Sequence, residues 1–392
     1  MRQALKDAVR AQRESIQADI LNLIAMNSEN PPGREEAVAH YVGDRLLALG
    51  AEVDYQVVRP GRPNVIGVLD FGPGPSLMLN AHTDTVPVGA SGVRLLEPVL
   101  RDGKVFGRGA CDDKGGLVAM LATCAAAVEL KRAGHDIRGT LVLAGVMGEE
   151  TSGEGTRYLT QHGPLSDYAV VGEPTELLPV LGHKGSWRKR ISIHGRAAHS
   201  SDPSLGNNAI YGAALIALEV DAWNSRMKET SVSPYGSPAV SANVISGGDQ
   251  VIIIADECSL DIDRRMLPGE TEEMVDAEFS EVLDTLHGRY PELSVEISDL
   301  GLGKSPALLD SESVLAVTIL KSAREVTGLG EVGPVFVGGT DMTFLMAAGV
   351  PTVIFGPGSI KDAHTTGEFV SLADLELAAE VYLNLLCKLA ME

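Results

Sequence analysis

Cysteine is scarce in this chain of 392 residues: there are four, at Cys111, Cys124, Cys258 and Cys387, and none stands in a C-x-x-C pair. A disulfide framework and a zinc ribbon are therefore not what organises the fold. No apolar run approaches the roughly 20 residues that cross a bilayer. The N-terminal Met1-Arg2-Gln3-Ala4-Leu5-Lys6-Asp7 and the amphipathic run after it have no apolar signal core, so the cytoplasm is the expected location. Basic residues are outnumbered, 32 Lys and Arg against 53 Asp and Glu, for a formal net charge of -21. With no basic block to offset that charge, nucleic acid and anionic membranes, both polyanions, are excluded as expected partners. Internal repeats and low-complexity tracts are also missing. What remains is 44% hydrophobic and 22% charged, within the globular range, and long enough for more than one domain.

Periodicity and breakers predict a helix over about Val9–Met26, a break at Pro31–Gly33 and a helix over about Glu35–Leu49. Strands follow near Asn64–Phe71 and Ser76–Ala81, then a helix at Lys114–Ala133 and strands at Thr140–Met147 and Tyr168–Val171. This alternation reads as α/β, a helix-covered, mostly parallel sheet. After Gly182-His183-Lys184-Gly185 the pattern changes to strand Arg188–His194, helix Asn208–Asn224, strands Val240–Ile245 and Ser259–Arg264, helix Glu270–Leu286 and strand Leu293–Ile297. That βαββαβ series predicts an inserted α+β domain at 186–302, with the first domain formed by 1–185 and 303–392.

The chemistry starts at Leu79-Asn80-Ala81-His82-Thr83-Asp84. Residues i and i+2 of a strand share a face, so Asp84 can accept from one ring nitrogen of His82 while the other nitrogen binds a cation. Further acids and imidazoles fall where a strand or a Gly-rich turn ends: Asp112 in Gly107-Arg108-Gly109-Ala110-Cys111-Asp112-Asp113-Lys114-Gly115, the pair Glu149-Glu150, Glu173 in Gly172-Glu173-Pro174-Thr175, and His364 after Ala363. In open α/β sheets such positions build sites. Taken singly, Asp112-Asp113 reads as a helix cap, the two glutamates as a solvated strand edge and His364 as a loop residue. Taken together, two histidines and three carboxylates without a thiolate suit two divalent ions that share one carboxylate. Cys111 has no evident histidine partner and is not expected to be a nucleophile.

These motifs, in this order and over nearly the whole chain, resemble those of the M20 family of metallo-hydrolases, the aminoacylase, acetylornithine deacetylase, succinyl-diaminopimelate desuccinylase and carboxypeptidase G type. The resemblance implies that His82, Asp112 and Glu173 hold one metal ion and that Asp112, Glu150 and His364 hold the other, with Asp112 as the bridge. It implies Glu149 as general base, Asp84 as the partner of His82, and a cis peptide between Asp112 and Asp113. Zinc is the expected ion, with cobalt or manganese as alternatives. Gly195-Arg196-Ala197-Ala198-His199-Ser200-Ser201-Asp202-Pro203 resembles the family's second-domain signature, which implies a homodimer whose His199 reaches the partner's active site from a lid and dimerisation domain. Arg265, in Asp263-Arg264-Arg265-Met266-Leu267-Pro268-Gly269, is either a clamp for a substrate carboxylate or the partner of Asp263. Thr340, in Gly338-Gly339-Thr340-Asp341, resembles a donor to substrate. Ile252 departs from the family, which has asparagine there. The implied reaction is metal-dependent hydrolysis that removes the acyl group of an N-acyl amino acid. Dipeptidase or carboxypeptidase activity is the alternative, and a non-catalytic binding dimer a remote one.

Overall fold

A computed structural model of the chain describes residues 2–89, 93–230, 233–301 and 303–391. The chain divides into two compact units, one of Met1–Gly182, Leu309–Pro334 and Thr340–Glu392, the other of His183–Leu308 and Val335–Gly339.

The first unit is built on a six-stranded sheet, in the order Glu52–Arg59, Arg62–Asp70, Thr140–Val146, Ser76–His82, Tyr168–Val171 and Thr352–Ile354. The last four run parallel to one another, and the first two form an antiparallel edge. Strand Ser76–His82 is buried almost throughout, as expected of a central parallel strand, and its apolar stretch is Leu77-Met78-Leu79. From Gly115 to Val128 the Lys114–Arg132 helix is apolar but for Thr123, because it is covered on all sides there. It packs against strands Ser76–His82 and Thr140–Val146 and against the helices Arg2–Ala11, Arg13–Ala25, Glu36–Leu49 and Leu372–Leu389. A small antiparallel sheet of Val99–Arg101, Lys104–Phe106 and Phe369–Ser371 closes the loop before that helix.

Two local expectations change. The single helix over Val9–Met26 is two helices, Arg2–Ala11 and Arg13–Ala25. Gln12, at φ -85° and ψ 0°, tightens the turn with an i−3 bond to the Val9 carbonyl (2.9 Å). Strand Glu52–Arg59 was not expected. As an edge strand it is largely exposed, with only Gln56 buried, so its apolar pattern is weak.

The second unit is a four-stranded antiparallel sheet, in the order Ala239–Gly247, Glu257–Met266, Gly185–His194 and Ser294–Asp299, covered by the helices Ala209–Thr230 and Glu272–Arg289. Alternate residues of Glu257–Met266 point inward, and Leu260, Ile262 and Met266 join Trp187, Ile191, Trp223 and Phe279 in its core. Arg264 also points inward, where Glu270 accepts from its guanidinium at 2.7 and 3.1 Å. Among the described residues no helix is long and apolar enough to cross a membrane.

Candidate metal centre

The four parallel strands deliver their C-terminal ends to one place. His82 closes Ser76–His82, Glu149 and Glu150 follow Thr140–Val146, Glu173 follows Tyr168–Val171, and the loop after Thr352–Ile354 carries His364. Asp112 comes from the Gly-rich loop that opens the Lys114–Arg132 helix, and the Asp112–Asp113 peptide is cis.

Asp112 is the geometric centre of the group. Its Oδ1 is 2.9 Å from His82 Nε2, and its Oδ2 is 3.2 Å from His364 Nε2, which also lies 3.3 Å from Glu150 Oε1. Ligand atoms of His82, Asp112 and Glu150, and separately of His82, Glu149 and Glu173, all lie within 4.8 Å of one another. The adjacent glutamates thus face different sets of neighbours. Both sit in a turn beyond Gly148, whose φ of +78° lets the chain leave the strand sharply.

Asp84 makes that turn. Its buried carboxylate accepts from the backbone N–H of Glu149 (3.1 Å), the N–H of Glu150 (3.2 Å) and the amide of Asn30 (2.8 Å). Its carboxylate Oδ1 is 3.5 Å from His82 Nδ1, while its backbone carbonyl is 2.9 Å away. The carbonyl can only accept, so Nδ1 carries a proton and Nε2 is the nitrogen of the neutral ring that could bind a cation. The backbone of Asp84 therefore selects the tautomer expected from its side chain.

The electrostatics match a cation site. Burial would lower the pKa of His82, but hydrogen bonds to Asp112 and Asp84 raise it well above its ordinary value. His364 is raised to about 10 by hydrogen bonds to Asp112 and Glu150. Burial, then the charge of Asp112, pushes Glu150 and Glu173 up. Four carboxylates so close to one another call for positive charge, and the two imidazoles among them face Asp112. Hard oxygen and borderline nitrogen donors without thiolate fit divalent metal ions. Cys111 is fully buried, and burial together with Glu368 and Asp112 drives its thiol far above the ordinary range, against a role as nucleophile.

The other expected residues make local contacts, each within its own unit. Thr340 is buried in the first unit, where its Oγ1 accepts from Met342 N–H (3.3 Å) at the start of the Met342–Ala347 helix. Arg265, in the second unit, pairs with Asp263 at 2.9 Å, the intradomain alternative weighed from the sequence. His199 is exposed; its Nδ1 accepts from Ser201 N–H (3.1 Å), which leaves Nε2–H as the donor of the neutral ring. Ile252 serves through its backbone: its carbonyl accepts from Ser200 N–H (3.0 Å) and Ile253 pairs with His199. Sequence reasoning missed Asn30 and Glu368. Asn30 stands at the Pro-Pro-Gly break and reads as a turn residue; Glu368 follows His364 by four positions and carries no motif signal.

Residues 78–388 match the peptidase family M20/M25/M40. The chain is similar to the acetylornithine deacetylase of Proteus mirabilis, 32% identical over 358 residues that make up 88% of each chain. It is also similar to a probable succinyl-diaminopimelate desuccinylase of Staphylococcus aureus, 26% identical over 95% of this chain and 98% of the relative. The crystal structure of a tripeptidase from S. aureus superposes with a TM-score of 0.81 at 24% identity, covering 97% of this chain and 99% of that one.

Proposed function

The chain belongs to the peptidase family M20/M25/M40, a family of hydrolases that act on amide bonds, and from that premise we propose that it removes the acyl group from an N-acyl amino acid. The observation that carries the reading is Asp112, whose two carboxylate oxygens each face a different histidine. His82, Asp112 and Glu173 would hold one divalent ion, and Asp112, Glu150 and His364 a second, zinc by first choice from the donor types. When bound, such ions supply Lewis acidity and lower the pKa of a water toward neutrality.

The protein's own groups do the rest. Glu149, anchored through its backbone to Asp84, takes the proton of the attacking water and passes it to the departing nitrogen. Asp84 holds both glutamates and the His82 tautomer. In a cytoplasmic homodimer, the exposed His199 of one subunit would place its Nε2–H on the oxyanion forming in the other. Arg265 would exchange its Asp263 pairing for a substrate carboxylate, which its planar fork suits. Thr340 would contribute to the substrate loop. The acyl–amino acid class rests on the deacetylase and desuccinylase relatives. A hydrolysis screen of N-acetyl, N-succinyl and N-formyl amino acids beside dipeptides, with metal-replete enzyme and free amine as readout, tests it. Turnover of acyl amino acids is the expected result, and hydrolysis of dipeptides alone would move the protein to the dipeptidase reading.

A further inference from the structure

We propose that Glu368, paired with Arg108, is a positioning residue of the metal centre, one buried carboxylate that holds the Asp112 loop and the His364 loop in a fixed mutual register. The inference rests on the reading of Asp112 and His364 as metal ligands.

The small sheet puts Glu368 in place. Phe369 pairs with Phe106, and the ladder runs one residue further, with Gly107 N–H donating to the Glu368 carbonyl (3.1 Å). The side chain then lies against the loop that leads to Asp112. Its Oε1 accepts from the backbone N–H of Cys111 (3.2 Å) and Asp112 (3.4 Å), and its Oε2 from the Arg108 guanidinium (2.6 Å). Glu368 is 1% exposed and Arg108 4%. One more buried carboxylate beside Asp112 is an unfavourable placement on charge alone, and buried ion pairs add little net stability because desolvation offsets the attraction. What the pair does provide is geometry. One end of the carboxylate is tied to the guanidinium, so the other end defines where the Asp112 amide, and with it the Asp112 carboxylate, must stand. The same residue is four positions from His364 on a short connection, so both loops take their position from it. Partners at this remove from a metal change its affinity by roughly 10–100-fold when removed.

Cobalt(II) binding tests the assignment, with affinity read by chelator competition, ligand geometry by the visible absorption of the bound ion, and fold by far-UV circular dichroism. Glu368→Gln keeps the shape but has one acceptor oxygen for donors at both ends, and Glu368→Asp keeps the charge but draws it back from the amides. Both are expected to bind cobalt about 10–100-fold more weakly than wild type, with a changed absorption band and an unchanged fold. Glu380→Gln, which removes a different buried carboxylate from the Leu372–Leu389 helix, should keep wild-type affinity and spectrum. Folded Glu368 variants with wild-type affinity and spectrum would overturn the proposal. So would failure of both to fold while Glu380→Gln folds, since Glu368 would then serve the fold at large. If the wild-type protein itself bound no cobalt, the metal reading would fall first, and this assignment with it.

Discussion

At the residue scale, Glu149 and Asp112 lie within one cluster but should fail in different ways. Glu149→Ala removes the proton carrier and leaves every proposed ligand, so metal content should stay near wild type while kcat drops by at least about 100-fold. Asp112→Ala removes the carboxylate that faces both histidines, so at least one ion per chain should be lost, as measured by elemental analysis after dialysis. Wild-type turnover in the first variant, or a full metal complement in the second, contradicts the roles given to them. The imidazoles make a further prediction. His364 is raised to about 10, so it carries an added proton at pH 7 in the metal-free protein, yet a ligand imidazole must be neutral; His82 is shifted in the same direction. Zinc binding at pH 7 should therefore release protons, seen as a dependence of the calorimetric heat on the ionisation enthalpy of the buffer. In the metal-free protein the sign for stability follows from the same shifts. The contribution of His364 is complete below its ordinary value of 6.5 and fades as pH rises through about 10. No release of protons at pH 7 would show that the pairs with Asp112 and Glu150 do not hold the proton on the ring.

At the scale of elements, the ends of the parallel strands decide which side chains meet, and small residues decide how closely. Gly172 joins strand Tyr168–Val171 to Glu173, and a Cβ there would stand 2.6 Å from Asp113 Oδ2 and 2.9 Å from Met120 Cε. Asp113 is fully buried, so its side chain has no open space to enter. Gly172→Ala should thus cost about 1–3 kcal/mol by overpacking and shift Glu173, lowering both Tm and metal affinity. A variant with unchanged melting and unchanged metal affinity would mean that Asp113 yields freely. The long elements of this layer were legible in the sequence because burial leaves a mark: the Ala- and Leu-rich Lys114–Arg132 helix and the strand Ser76–His82, with its apolar Leu77-Met78-Leu79, stand where they were expected. Strand Glu52–Arg59 and the break at Gln12 left no such mark, one because it is exposed and the other because a single i−3 turn does not disturb the apolar spacing.

At the scale of the whole molecule, the prediction is a dimer with shared sites. The His199 motif belongs to the second unit and every proposed metal ligand to the first. If His199 serves the partner, His199→Ala and Glu149→Ala, each nearly inactive alone, form mixed dimers in which one site has both groups. Subunit exchange should then restore up to about half of the activity per mixed dimer. Mixed dimers confirmed by mass but without activity would end the trans assignment.

The amino-acid sequence determined the candidate donors and their order: His82, Asp112, Glu149, Glu150, Glu173 and His364, each at a strand end or Gly-rich turn. Those are properties of local chemistry and periodicity, which survive in a linear text. Only the tertiary structure decided how they meet. His82 and Asp112 are 30 residues apart and Glu150 and His364 are 214 apart, and sheet register, not spacing, sets such distances. The same holds for the supporting groups. That the Asp84 backbone selects the His82 tautomer while its side chain holds two glutamates, and that Glu368 reaches back to the Asp112 loop, depends on backbone N–H and C=O groups. Every residue carries those groups alike, so no residue type announces them in advance.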